Sequence, residues 1–154
     1  MCKTRIVNEL SFVIKIFIYE MTLNSVYNIR FSFEIVGKET PDEDWLYVKI
    51  SYQGKGLKHS YTDPSFMTQE IGELIDWLER ILINHNTEHR FTPLDQMIDF
   101  RFFGYSDGRA KVQIQLNYQY NNTGDDLKLN FLLSKSDIIR WIIELRKELI
   151  YYSV

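Results

Sequence analysis

Residues 109–149 constrain the fold of this chain more than any other stretch. Apolar and polar residues alternate over residues 110–120 and again over 127–133, on either side of the turn NNTGDD. Because strand side chains alternate between the two faces of a sheet, this pattern predicts an antiparallel strand pair. We therefore expect a sheet with one buried face and one solvated face.

A helix with one apolar stripe follows this strand pair. Ser134 and Asp137 stand three residues apart at its start, which predicts a capping box. Large apolar side chains then recur at a spacing of three and four residues: Ile138, Trp141, Ile142, Leu145 and Leu149. Such a stripe has to be buried, and the dry face of the sheet is the available surface. Burial of these five side chains contributes about 10 kcal/mol as an upper estimate.

The first half of the chain has the same plan. Alternation predicts strands over residues 27–35 and 46–52, and a shorter strand at LKHSYT that Asp63-Pro64 should end. Thr68 is the predicted N-cap of a first helix. Its apolar residues match those of the second helix at a constant offset of 67: Ile71, Leu74, Ile75, Leu78 and Leu82. This correspondence indicates an internal duplication.

Two strand-strand-strand-helix units predict an α+β fold. The expected architecture is a two-layer sandwich, in which one antiparallel sheet of about six strands carries both helices on one face. We interpret residues 1–154 as a single domain with its core in residues 27–152. Residues 1–20 form either an N-terminal strand or an extension before Met21. Lys15 interrupts their apolar run and no cleavage site follows, which argues against a signal peptide.

Composition narrows the classes of partner. A net charge of -3 and a pI near 5.6 argue against nucleic-acid binding, which requires a concentrated cationic face. The apolar run near the N-terminus is too short to cross a bilayer, so no membrane is expected. A single cysteine, Cys2, fits a reducing compartment, although bacterial secreted proteins are often cysteine-poor too. A modestly acidic protein suits a basic partner.

One string resembles a catalytic motif. Residues 85–89, HNTEH, match the H-x-x-E-H pattern of a class of zinc proteases, which requires both histidines on one face of a stable helix. Here the string follows a helix end and precedes Phe91-Thr92-Pro93, so we interpret it as a solvated loop. His59 is interpreted as a surface or edge residue. The chain has no G-x-S-x-G motif and no phosphate-binding glycine loop, so we expect neither an enzyme, nor a metal, nor a cofactor.

Acidic residues form the one remaining pattern. On the first helix a carboxylate recurs every third residue, and an acidic turn followed by a tryptophan lies upstream. The residues concerned are Asp42, Glu43, Asp44, Trp45, Glu70, Glu73, Asp76 and Glu79. A solvated face and a docking surface are both compatible with such a pattern.

Three segments together resemble the WapI-like immunity proteins, which are small bacterial proteins that protect a cell from a contact-delivered nuclease toxin. These segments are DWLYVKISYQGKG, FMTQEIGELIDWL and FLLSKSDIIRWIIELRKEL with the Tyr151-Tyr152 pair. The resemblance covers about residues 27–152. It implies a cytoplasmic, non-enzymatic binder that covers the active site of a toxin domain. Residues 1–20 have no counterpart, and the C-terminus YYSV lacks an expected proline and arginine.

The resemblance gives the acidic pattern a function. A protein that blocks a nuclease must occupy a cationic substrate groove, so the eight acidic-pattern residues are our candidates for partner binding. Two other classes stay open. A secretion-type chaperone is also small, acidic and α+β, and a small-ligand domain would need a pocket between the sheet and the helices.

Overall fold

The computed structural model describes residues 13–22, 25–38, 44–54, 57–83, 87–117 and 126–152. Each half of the chain forms four strands followed by one helix. The first half contains β1 (Val13–Thr22), β2 (Ser25–Lys38), β3 (Trp45–Gly54), β4 (Leu57–Met67) and α1 (Thr68–Ile83). The second contains β5 (His89–Phe91), β6 (Ile98–Ser106), β7 (Arg109–Leu116), β8 (Leu127–Leu133) and α2 (Lys135–Tyr152). Of the helices in the described ranges, none could span a bilayer.

The strands form two antiparallel sheets, each with its strands in chain order. The α+β class and the repeated order of strands followed by a helix are confirmed. In place of the expected single sheet of about six strands, the described strands form two sheets of four. In the first repeat the additional strand is β1, which agrees with the N-terminal strand that was one of the two expectations for residues 1–20, and it pairs with β2. In the second it is the short β5, which pairs with β6 where a loop was expected.

Both sheets and both helices enclose one core. Phe31 of β2 contacts Phe131 of β8 at a ring-centroid distance of 6.3 Å, so the dry faces of the two sheets meet. Trp141 of α2 lies 6.4 Å from Phe31 and 6.5 Å from Phe100 of β6. One helical side chain therefore ties both sheets together. The predicted inward sets of β3 and β7 are buried as expected: Leu46, Val48, Ile50 and Tyr52, and Ala110, Val112, Ile114 and Leu116. Tyr118 and Tyr120 lie outside the described residues.

Pro64 does not end β4, contrary to expectation. The strand continues to Met67, with Pro64 opposite Tyr47 and a register shift between Leu46 and Tyr47. Because β4 is an edge strand, a residue without a backbone N–H is tolerated there.

The two helices begin with related caps, of which α2 has both bonds of a capping box and α1 has one. At α2 the Ser134 N–H donates to Asp137 Oδ2 at 3.1 Å, and the Asp137 N–H donates to Ser134 Oγ at 3.2 Å, which confirms the capping box. At α1 the Met67 N–H donates to Glu70 Oε2 at 2.9 Å. Met67 and Glu70 each lie 67 residues before Ser134 and Asp137, so this bond is the counterpart of the bond from the Ser134 N–H. Thr68 is therefore not the N-cap, and its hydroxyl donates to Asp44 instead.

Candidate functional site

The helices lie side by side, and one face of each points to solvent. Gly72 of α1 faces Leu149 of α2, where a Cβ atom would lie 4.0 Å from Leu149 Cδ2, an ordinary van der Waals distance. At the surface Arg146 of α2 forms an ion pair with Glu79 of α1. The exposed face of α1 and that of α2 thus adjoin along this junction.

An acidic strip follows α1, formed by Asp44, Glu73, Asp76 and Glu79. Asp44 lies at the start of the helix, where its carbonyl oxygen accepts the Thr68 N–H at 3.2 Å. Glu73 is exposed and accepts a hydrogen bond from Gln69 at 3.2 Å, and Asp76 is exposed one turn further on. Four of the eight candidate residues therefore lie along α1, with Asp44 at the helix start and Glu73, Asp76 and Glu79 spread over its solvent-facing surface.

Glu70 is not part of this strip, although the sequence made it a candidate. Its side chain is turned inward, and the residue is only 5% exposed. Besides the bond that it accepts from Met67, it accepts the Leu94 N–H at 2.5 Å. Both carboxylate oxygens are thus occupied by backbone donors, because the start of α1 and the segment after β5 each leave an N–H to be satisfied.

The remaining candidates lie beside the strip or outside the described ranges. Trp45 is half-buried on the outer face of the first sheet, immediately after Asp44 and opposite Met67. Asp42 and Glu43 lie outside the described residues.

An isoleucine seam on α2, formed by Ile139, Ile143 and Ile150, was missed by the sequence analysis. These side chains are 47%, 48% and 72% exposed, although large apolar residues are normally buried. With Arg146 they follow a four-three-four spacing, which is the seam of a helix that packs against another surface. The spacing of these isoleucines is visible in the sequence, but the sequence analysis considered only the apolar stripe on the buried side of the same helix.

His89 is the histidine whose surroundings the structure describes most fully. His89 belongs to β5, where its ring lies 5.7 Å from Trp77 and 5.1 Å from Phe102. The expected solvated loop is thus wrong for this residue. Burial and the nearby charge of Arg80 lower the pKa of His89 from 6.5. His85 lies outside the described residues, and within the described ranges no three His, Cys, Asp or Glu side chains are grouped as metal ligands would be.

The overall fold is similar to that of a solved plant protein. The transcriptional regulator PBF-2 gives a TM-score of 0.53 at 12% identity, covering 92% of this chain and 83% of that one. A crystal structure of WHY1 from Arabidopsis thaliana gives a TM-score of 0.49 at 12% identity, covering 92% and 85%. At this identity the likeness to PBF-2 describes the fold alone. No curated protein matches the chain.

A family model covers most of the chain. Residues 22–153 match the model described as Immunity protein WapI-like family, nearly the same span as the resemblance noted in the sequence. The match includes α1, α2 and all strands from β2 to β8. The chain therefore belongs to the WapI-like immunity protein family.

Proposed function

We propose that this protein neutralises a nuclease toxin domain by binding it, without catalysis of its own, through the outer faces of its two helices. This helix face consists of the acidic strip (Asp44, Glu73, Asp76 and Glu79) and the isoleucine seam (Ile139, Ile143 and Ile150). Family membership supports the immunity role and implies a protein toxin as the partner. The toxin is basic in this proposal.

The observation that carries the proposal is the position of the seam next to the strip. Protein interfaces typically place apolar anchors at the centre and charged residues at the rim. Here three exposed isoleucines supply the anchors, and the Glu79–Arg146 ion pair joins them to the acidic residues of α1. Glu73 and Asp76 would then meet the cationic substrate groove of a nuclease and accelerate the encounter.

Binding and protection can be measured with the toxin domain itself. The probe is the purified C-terminal domain of the large repeat-bearing surface protein that we expect the adjacent upstream gene to encode. Association rates and Kd are measured at low and high salt, together with growth of cells that express the toxin domain. The Glu73→Lys/Asp76→Lys variant should associate about tenfold more slowly at low salt, with a smaller effect at high salt. Ile143→Asp should raise Kd about tenfold or more through faster dissociation.

A matched control separates local contacts from net charge. Asp126 is exposed and accepts a hydrogen bond from Gln115 on the outer face of the second sheet, away from the helices. Asp126→Lys changes the net charge as much as Asp76→Lys measured alone does, so these two single variants form the matched pair. Asp76→Lys should slow association at low salt, and Asp126→Lys should leave both rate constants nearly unchanged. Unaltered association and protection in the helix-face variants would show that the toxin binds elsewhere.

A further inference from the structure

Two arginines lie opposite each other on the outer face of the second sheet. Arg90 of β5 and Arg101 of β6 are direct cross-strand partners. Like charges at such positions repel each other, so the pair requires compensation. The compensation is Asp99, which is only 5% exposed.

Asp99 accepts a hydrogen bond from the Nε atom of each arginine and so orients both guanidinium groups. Arg90 Nε donates to Asp99 Oδ1 at 2.8 Å, and Arg101 Nε donates to Asp99 Oδ2 at 2.9 Å. Thr92 fixes the arrangement further, since its Oγ1 donates to Asp99 Oδ1 at 2.6 Å and accepts from Arg90 Nε at 3.2 Å. In the part of the chain that the structure describes, the only donors these arginines use are the Nε groups. The terminal Nη groups of both therefore remain available to a ligand.

The charge balance of this cluster is positive. Asp99 compensates two guanidinium groups, and the exposed Lys111 and Lys128 outnumber the one further carboxylate placed on this face, Asp126 beside Gln115. The row that contains the arginines continues across the sheet with Gln113 and Asn130, whose side chains hydrogen-bond to each other at 2.9 Å. A chain with a net charge of -3 thus carries a locally cationic, donor-rich surface on the side away from its helices.

We propose that Arg90 and Arg101, positioned by Asp99, form a binding site for a phosphate-type oxyanion. One arginine fork already satisfies the two oxygens of a carboxylate. Two forks on neighbouring strands present more donors than a planar carboxylate can accept, and they suit the oxygens of a tetrahedral anion. Arginines are preferred for such recognition because the planar guanidinium fork is rigid. This site is separate from the helix face and does not depend on the toxin.

Titration with inorganic phosphate tests the site. Sodium phosphate is titrated into the full chain at constant ionic strength, with sodium chloride as the reference, and binding is followed by calorimetry and by the arginine Nε–H signals in NMR. We expect saturable phosphate binding, and a loss of about tenfold or more in affinity for Arg101→Gln and for Arg90→Gln. Arg101→Lys keeps the charge but not the fork, so it should also bind phosphate more weakly. Circular dichroism verifies that each variant is folded.

Arg109→Gln is the matched control. It removes one exposed cation from the same face, at the start of β7 and four residues from Gln113. It should keep phosphate affinity within about twofold, because general charge at this distance is screened by salt. An equal loss in Arg109→Gln, equal binding of chloride, or no saturable phosphate binding would overturn the proposal.

A second experiment, with an oligonucleotide in place of inorganic phosphate, identifies the source of the oxyanion. A short single-stranded oligothymidylate that binds more tightly than phosphate, and loses this affinity in Arg101→Gln, would assign the site to phosphodiesters. Phosphate binding without oligothymidylate binding would assign it to free phosphate, and either result supports an oxyanion site. Arg101→Gln should still protect cells from the toxin, since the helix face is intact. The proposal of toxin binding and the proposal of an oxyanion site can therefore fail independently of each other.

Discussion

Glu79 of α1 and Arg146 of α2 pair with each other although they occupy equivalent positions of the two repeats, 67 residues apart. Contact between equivalent positions places this pair where the two repeats meet. The bonds Met67–Glu70 and Ser134–Asp137 obey the same offset at the two helix starts. The duplication seen as a spacing in the sequence is thus a structural repeat whose halves meet at this ion pair.

Exchanging the charges of Glu79 and Arg146 should restore the stability that either single substitution removes. Glu79→Arg places two arginines together and should lower the free energy of unfolding by about 0.5–1 kcal/mol, a small amount because both side chains are substantially exposed. The double variant Glu79→Arg/Arg146→Glu should recover most of this lost free energy of unfolding. Urea unfolding of the four proteins in the cycle measures the coupling. A double variant no more stable than the poorer single variant would show that the pair contributes nothing.

Glu70 should contribute far more to stability than its exposed neighbour Glu73. Glu70→Ala leaves the N–H groups of Met67 and Leu94 without their carboxylate acceptor, which costs about 2–3 kcal/mol. Glu73→Ala removes a solvated side chain and should change stability by less than about 0.5 kcal/mol. Thermal and urea unfolding distinguish the two. Equal effects would mean that the inward position of Glu70 is wrong.

His89 should make the protein less stable in mild acid. Its pKa is lowered in the folded state, first by burial and then by Arg80, whereas the unfolded chain titrates near 6.5. The unfolded state therefore binds more protons as the pH falls through 6.5 towards the lowered value, and the free energy of unfolding decreases over that window. Above 6.5 this destabilisation is absent.

His89→Phe is the corresponding variant, because the ring already lies among Trp77 and Phe102. Neither ring nitrogen has a hydrogen-bond partner among the described residues, so phenylalanine loses no polar contact there. We expect unfolding curves measured between pH 5 and 7 to depend less on pH in this variant. A pH dependence identical to that of the unmodified protein would exclude His89 as its cause.

Trp141 should be among the most costly positions to truncate. It contacts Phe31 of the first sheet and Phe100 of the second, so Trp141→Ala opens a cavity where the two sheets and α2 meet. The expected loss is about 3–5 kcal/mol. Ile139→Ala on the exposed side of the same helix should cost less than about 1 kcal/mol. Comparable losses in urea unfolding would contradict this assignment of buried and exposed faces.

The candidate site was only partly accessible from the sequence. A period of three places Glu70, Glu73, Asp76 and Glu79 in one series, yet consecutive members are turned by about 60° from each other around a helix. Their environments therefore differ: Glu70 caps the helix start from inside, whereas Glu73 and Asp76 point to solvent. The spacing of these residues in the sequence does not show which side chain contacts a distant loop, such as the one that contains Leu94.

Local patterns were enough to predict the inward faces of β3 and β7 and the capping box at Ser134, because each follows from periodicity or side-chain chemistry within a few residues. The α+β class and the offset of 67 follow from the order in which these patterns recur along the chain. Contacts between distant parts of the chain were needed to show that the strands divide into two sheets, that β4 continues through Pro64, and that Ile139, Ile143 and Ile150 remain exposed while Glu70 is buried. These outcomes depend on which elements become neighbours. That choice is made by packing between residues far apart in the chain, as in the contact between Phe31 and Phe131.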